Sequence, residues 1–176
     1  MTDDNSNAKR IWVERDEIVA RATQTFVQND LAADRSLPAL VDHVSALHGK
    51  PIDISATTDE DWDTLTALWV DYPNQAKIYY RSTDTELYRT HCILHELAHI
   101  ALQHPGCNVL PEKKDLTGYH GAGVVRGRFL ETSPQTVPNV AVSEREVMEG
   151  EAEHLAHLLS STLFRPRFRE DEDVFG

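Results

Sequence analysis

His95-Glu96-Leu97-Ala98-His99 is an H-E-x-x-H pattern. On an α-helix, residues four apart differ by about 40° in azimuth, so the imidazoles of His95 and His99 point the same way. Two neutral imidazoles one turn apart can both ligate a single Zn2+ at about 2.0–2.1 Å. Glu96 sits about 100° round the helix from His95, at the edge of the same site. A carboxylate there can take a proton from water activated by the metal, which is hydrolytic chemistry. The neighbours Ile93, Leu94, Leu97, Ile100 and Ala101 give this helix an apolar setting. Two histidines and a glutamate on a buried helix require partners.

A catalytic zinc takes a third protein ligand and keeps one position for water. The candidates lie in Glu146-Val147-Met148-Glu149-Gly150-Glu151-Ala152-Glu153-His154. Glu149 and Glu153 share a helical stripe with Ala152 and Ala156, whose small side chains allow a close helix–helix approach. Glu149 is the first candidate and Glu153 the second; His154 and His157 are further possible ligands. Tyr119, His120, Arg126 and Arg128 lie between the two ligand segments and are candidates for stabilising a developing oxyanion. Cys92, three residues before His95, reads as a small buried residue rather than a ligand, and a Cys92–Cys107 disulfide would be unusual in a reducing compartment.

The elements that position these residues can be read from periodicity. Ile18, Val19, Ala22, Phe26 and Val27 recur at helical spacing between Glu14 and Leu31. A second helix is expected after Ser36, with Pro38 in its first turn, Leu40, Val41, Val44 and Leu47 on one face, and Gly49 as its stop. Pro51 to Ile54 reads as a short strand. Leu65 to Val70 and Ala76 to Arg81 read as two strands joined by the turn Asp71-Tyr72-Pro73-Asn74, a hairpin. The motif helix is expected over residues 86–103, stopped by His104-Pro105-Gly106. Residues 106–142 carry five of the eight glycines and three of the eight prolines and read as a loop-rich insert. Ser143 and Glu146 have capping-box spacing and open a last helix with Val147, Met148, Ala152, Leu155, Leu158, Leu159 and Leu163 on its apolar side. The expected organisation is a disordered start over 1–10, a helical arm over 11–35, a catalytic domain over 36–166 and an acidic tail over 167–176. The fold class is α+β, with a small antiparallel sheet beside a helix pair.

The 176 residues suit one domain with its own core. Lys and Arg number 17 against 29 Asp and Glu, a formal charge of −12. Such a chain repels phosphate backbones and anionic lipid, so direct nucleic-acid or membrane binding is not expected. Two cysteines do not make a disulfide scaffold. The polar start Met1 to Lys9 lacks the apolar run of a secretory signal, and the expected location is the cytoplasm.

Taken together, the chain resembles the ImmA/IrrE family of zinc metallopeptidase-like proteins. The resemblance rests on Arg89-Thr90-His91-Cys92-Ile93-Leu94-His95-Glu96-Leu97-Ala98-His99 and on Glu149-Gly150-Glu151-Ala152-Glu153-His154-Leu155-Ala156-His157-Leu158-Leu159, and covers about residues 35–165. Family members similarly carry an arginine before H-E-L-x-H and a later E-x-E-A-N-x-F-A-x-x-L-L helix, often closed by Met-Pro. Here Glu153 stands where Asn is usual, Leu155 where Phe is usual, and Phe164-Arg165-Pro166 replaces Met-Pro. The interval from His99 to Glu149 is long for the family. The resemblance implies a zincin-like fold, Zn2+ held by His95, His99 and Glu149, and Glu96 as general base. It implies that a substrate peptide pairs with an edge strand, for which Ala76 to Arg81 is the candidate. It further implies a regulatory peptidase whose protein substrate is a partner such as a helix-turn-helix repressor, in transcription regulation or stress response. The alternative is a non-catalytic, zinc-stabilised module that acts on a transcription factor or toxin by binding.

Overall fold

The computed structural model describes residues 4–34, 36–58, 65–105, 124–129 and 144–165. In chain order these form helix α1 (Asp4–Gln28), α2 (Leu37–His48), strands β1 (Ile52–Thr57), β2 (Leu65–Asp71) and β3 (Ala76–Arg81), helix α3 (Glu86–Ala101), strand β4 (Val124–Phe129) and helix α4 (Glu144–Leu163). The fold is α+β. No helix among the described residues is long and apolar enough to cross a membrane.

The sheet order is β1-β3-β2-β4. β2 and β3 form the expected antiparallel hairpin, closed by the Tyr72 N–H donating to the Gln75 carbonyl at 2.8 Å. β1 runs parallel to β3, so the sheet is mixed and not antiparallel throughout. The return strand of the hairpin fits between β1 and β2, and β1 therefore meets a neighbour of its own direction. This corrects a second expectation. Ala76 to Arg81 is an interior strand paired on both sides, and its backbone groups are already committed to β1 and β2. Among the described residues the edges are β1 and β4. β4 arises inside the segment expected to be loop; Gly127 in its middle and an irregular apolar pattern hide the strand in the sequence.

One face of the sheet carries Ile52, Trp69, Ala76 and Ile78, with Trp69 directly opposite Ile78. Helix α3 packs on this face and lies between α2 and α4. Its Ile93, Leu94, Leu97, Ala98 and Ile100 share one buried cluster with Leu40 and Val44 of α2 and Ala152, Leu155, Ala156 and Leu159 of α4. Ala22 of α1 and Leu31 just beyond its end belong to the same buried cluster. α1 lies along α4, where the Ile18 side chain approaches to 3.3 Å of the point where a Cβ on Gly150 would sit. α1 also begins at Asp4, within the segment expected to be disordered. No glycine or proline interrupts residues 4–28, so nothing in the chain stops the helix earlier.

Both ends of α3 are fixed locally. At its head, Arg81 Nε and Nη2 donate to Asp84 Oδ1 at 3.0 and 2.7 Å. The next residue, Thr85, caps the helix by accepting from the Tyr88 N–H at 3.4 Å. At its tail, the Gln103 N–H donates to the Ile100 carbonyl at 3.0 Å and the His104 N–H to the His99 carbonyl at 3.1 Å. Those two bonds form a Schellman closure, with Gln103 in the left-handed region at φ 56°.

α2 is capped as its sequence predicts, with Ser36 Oγ accepting from the Ala39 N–H and Gly49 left-handed at φ 77°. Lys50, just beyond it, pairs with Asp71 and donates to the Tyr72 carbonyl at 2.9 Å, tying α2 to the hairpin turn.

Candidate metal centre

α3 and α4 bring the site together. The Ala98, Ala152 and Ala156 side chains are fully buried, and their small size is what allows close packing of the two helices. His95 Nε2 lies 3.0 Å from His99 Nε2, and Glu149 Oε2 lies 3.2 Å from His95 Nε2 and 3.7 Å from His99 Nε2. An ion held tetrahedrally by bonds of about 2.0–2.1 Å sets its ligand atoms about 3.3–3.4 Å apart. The three atoms thus form a triangle of the size that one small metal ion needs. Among the described residues this is the group of His, Cys, Asp and Glu side chains that could hold a metal ion.

The burial is informative. His95 and Glu96 are 1% and 2% exposed. Neither is a solvated surface group, and a carboxylate on an apolar helix is costly to bury without a role or partner. Burial alone would raise the Glu149 carboxyl. Hydrogen bonds and charge from His95 and His99 outweigh that and hold it well below the usual carboxylate range. Glu149 is therefore an anion facing two imidazoles, the charge pattern a divalent cation would complete.

The structure separates Glu149 from Glu153. Glu153 Oε2 lies 3.2 Å from His95 Nδ1, the ring nitrogen on the other side from Glu149. Its second oxygen is 3.3 Å from His91 Nε2. Both ring nitrogens of His95 therefore face a carboxylate, and an ion on Nε2 would leave the proton on Nδ1, toward Glu153. Glu153 contacts the far side of the His95 ring, whereas Glu149 stands with His95 and His99 in the group that could hold a metal ion. His154 and His157 do not join the group; His157 is exposed and His154 half-buried.

Sequence reasoning named His104 only as part of the helix stop and Glu151 only within the candidate segment of the last helix, and it missed that the two pair beside His99. His104 Nδ1 lies 2.9 Å from His99 Nδ1, and His104 Nε2 lies 2.8 Å from Glu151 Oε2. Both side chains are almost wholly buried, at 2% and 4% exposure. Burial pushes the Glu151 carboxyl up, opposed by the Arg21 guanidinium of α1 3.5 Å away. The available signal for Glu151 is its place on the stripe of Leu155 and Leu159, where a lone carboxylate needs a partner. For His104 the helix-stop reading hid it, because the left-handed Gln103 is what turns the chain back toward His99.

Tyr119, His120 and Cys107 lie outside the described residues, as does the Ser143 cap. Arg126 and Arg128 are on β4, at register positions opposite Trp69 and Ala67. Cys92 is a buried free thiol, as expected. No protein-family model, curated protein or solved structure matches the chain.

Proposed function

We propose that this protein is a zinc metallopeptidase of regulatory type, built like the ImmA/IrrE proteins its motifs resemble. The observation that carries the reading is the triangle of His95 Nε2, His99 Nε2 and Glu149 Oε2, with sides of 3.0, 3.2 and 3.7 Å. Two imidazoles and one carboxylate are the donor set of a hydrolytic zinc, and they leave room in the coordination sphere for water or substrate. When bound, zinc would act as a Lewis acid on a carbonyl group and lower the pKa of water.

The chain's own residues supply the rest. Glu96, adjacent to His95 in sequence and buried, is the general base: it takes a proton from the attacking water and returns it to the leaving amine. Glu153 holds His95 in the tautomer that presents Nε2. A purely structural site has no use for a buried base beside its ligands, which favours catalysis over a binding module. The acidic chain suits a basic protein substrate such as a DNA-binding regulator.

The test is a quenched-fluorescence peptide library with wild type, Glu96→Gln and zinc-stripped protein. Zinc-dependent cleavage that falls at least about 10²-fold in Glu96→Gln, with zinc content unchanged, supports the reading. Equal cleavage by Glu96→Gln would remove its role as base.

A further inference from the structure

We propose that His104 and Glu151 are positioning residues that fix the tautomer of His99 and aim its Nε2 lone pair at the metal site. The inference rests on the metal-centre reading and extends it to a second, almost wholly buried arm that reaches His99 through His104, which lies outside both sequence motifs.

The argument is one of proton counting along a chain of three side chains. As a carboxylate, the form that the Arg21 guanidinium 3.5 Å away favours, Glu151 can only accept. At 2.8 Å, His104 Nε2 must therefore be the donor to Glu151 Oε2. A neutral His104 then has only a lone pair on Nδ1. The 2.9 Å contact between His104 Nδ1 and His99 Nδ1 needs one donor and one acceptor, so His99 Nδ1 carries the proton. His99 Nε2 is left bare, and that atom is 3.0 Å from His95 Nε2 and 3.7 Å from Glu149 Oε2. The direction of the whole chain is set at its carboxylate end.

The fold makes this arrangement rigid. His104 sits three residues past the end of α3, held by the Schellman closure through its own N–H to the His99 carbonyl at 3.1 Å. Backbone and ring thus both return to the same residue. Glu151 comes from α4, two positions from Glu149, so one helix supplies both a candidate ligand and the anchor for another. Arg21 of α1 reaches Glu151 Oε1 at 3.5 Å. The guanidinium is more than half exposed, so its pull is screened and the His104 contact is the stronger hold.

The variants separate orientation from packing. His104→Gln retains an acceptor for His99 and a donor for Glu151. His104→Leu fills the space with neither. Glu151→Gln keeps size but, as an amide, lets the chain run in either direction. Two readouts are needed. Chelator competition measures zinc affinity in each folded variant, and 15N NMR of the imidazoles in metal-free wild type reports which His99 nitrogen carries the proton. The expected result is a 10- to 100-fold loss of zinc affinity in His104→Leu and a smaller loss in Glu151→Gln. His104→Gln should stay within about threefold of wild type, and metal-free wild type should carry its proton on His99 Nδ1. Wild-type affinity in both His104→Leu and Glu151→Gln, equal loss in His104→Gln and His104→Leu, or a His99 proton on Nε2 would each overturn the proposal. The NMR readout needs no metal, so a protein that fails to bind zinc would defeat the metal reading while the tautomer still decides this one.

Discussion

Glu153 Oε2 lies 3.2 Å from His95 Nδ1, on the opposite side of the imidazole from Glu149. The two carboxylates one turn apart on α4 thus grip one ring from both sides, and only one of them faces His99. The difference in position predicts a difference in consequence. Glu149→Ala removes a ligand and should abolish stable zinc retention against a chelator. Glu153→Ala removes an orienting partner and should weaken affinity by about 10-fold. A chelator titration ranks the pair, and the reverse order would mean that α4 meets the metal through Glu153.

Metal removal should also be visible in stability. An ion that binds only the folded chain at 100 times its Kd contributes about 2.7 kcal/mol. For a domain of this size that corresponds to a melting temperature about 5–10 °C lower after chelation. Differential scanning calorimetry with and without a strong chelator checks this, and the drop should vanish in His99→Ala.

The closure of α3 by a left-handed glutamine predicts an unusual mutational pattern. At φ 56°, Gln103 carries a cost that glycine would not. Gln103→Gly should keep the Schellman bonds and change stability by less than about 1 kcal/mol, whereas a β-branched Gln103→Val should destabilise by more than that. Urea unfolding distinguishes the two.

Asp71 gives a pH-dependent prediction away from the metal. Burial would raise its carboxyl, but the hydrogen bonds and charges of Lys50 and His48 hold it below the ordinary value of 3.8. A depressed folded-state value means that the stabilisation is fully present above the unfolded value and is lost as pH falls through the folded one. Asp71→Asn should therefore cost about 1–2 kcal/mol at pH 7. The gap to wild type should close as pH drops below about 3.9, the unfolded reference. Urea midpoints at neutral and acid pH test the sign.

How much of this was legible in the sequence follows from the range of each signal. The H-E-x-x-H motif, the caps at Ser36 and Gly49, and the β2–β3 hairpin are written within a few residues of themselves, and the structure has them where the pattern puts them. The choice of Glu149 over Glu153 depends on how α4 rotates against α3, which stripe analysis narrows but does not decide. Strand order is the least local property. Nothing between Ile52 and Arg81 says that the return strand of a hairpin will lie beside β1, so both the mixed sheet and the interior place of β3 escaped the sequence. His104 escaped for a similar reason. Its partner Glu151 is 47 residues away, and the contact exists only because Gln103 adopts a backbone conformation that glutamine rarely takes.

The central claim is that His95, His99 and Glu149 hold one zinc ion, and anomalous diffraction at the zinc absorption edge tests it most directly. Crystals of the metal-loaded protein should show one strong peak about 2.0–2.1 Å from His95 Nε2, His99 Nε2 and a Glu149 carboxylate oxygen. A map with no peak among these three atoms, or with the ion held by Glu153 in place of Glu149, would contradict it.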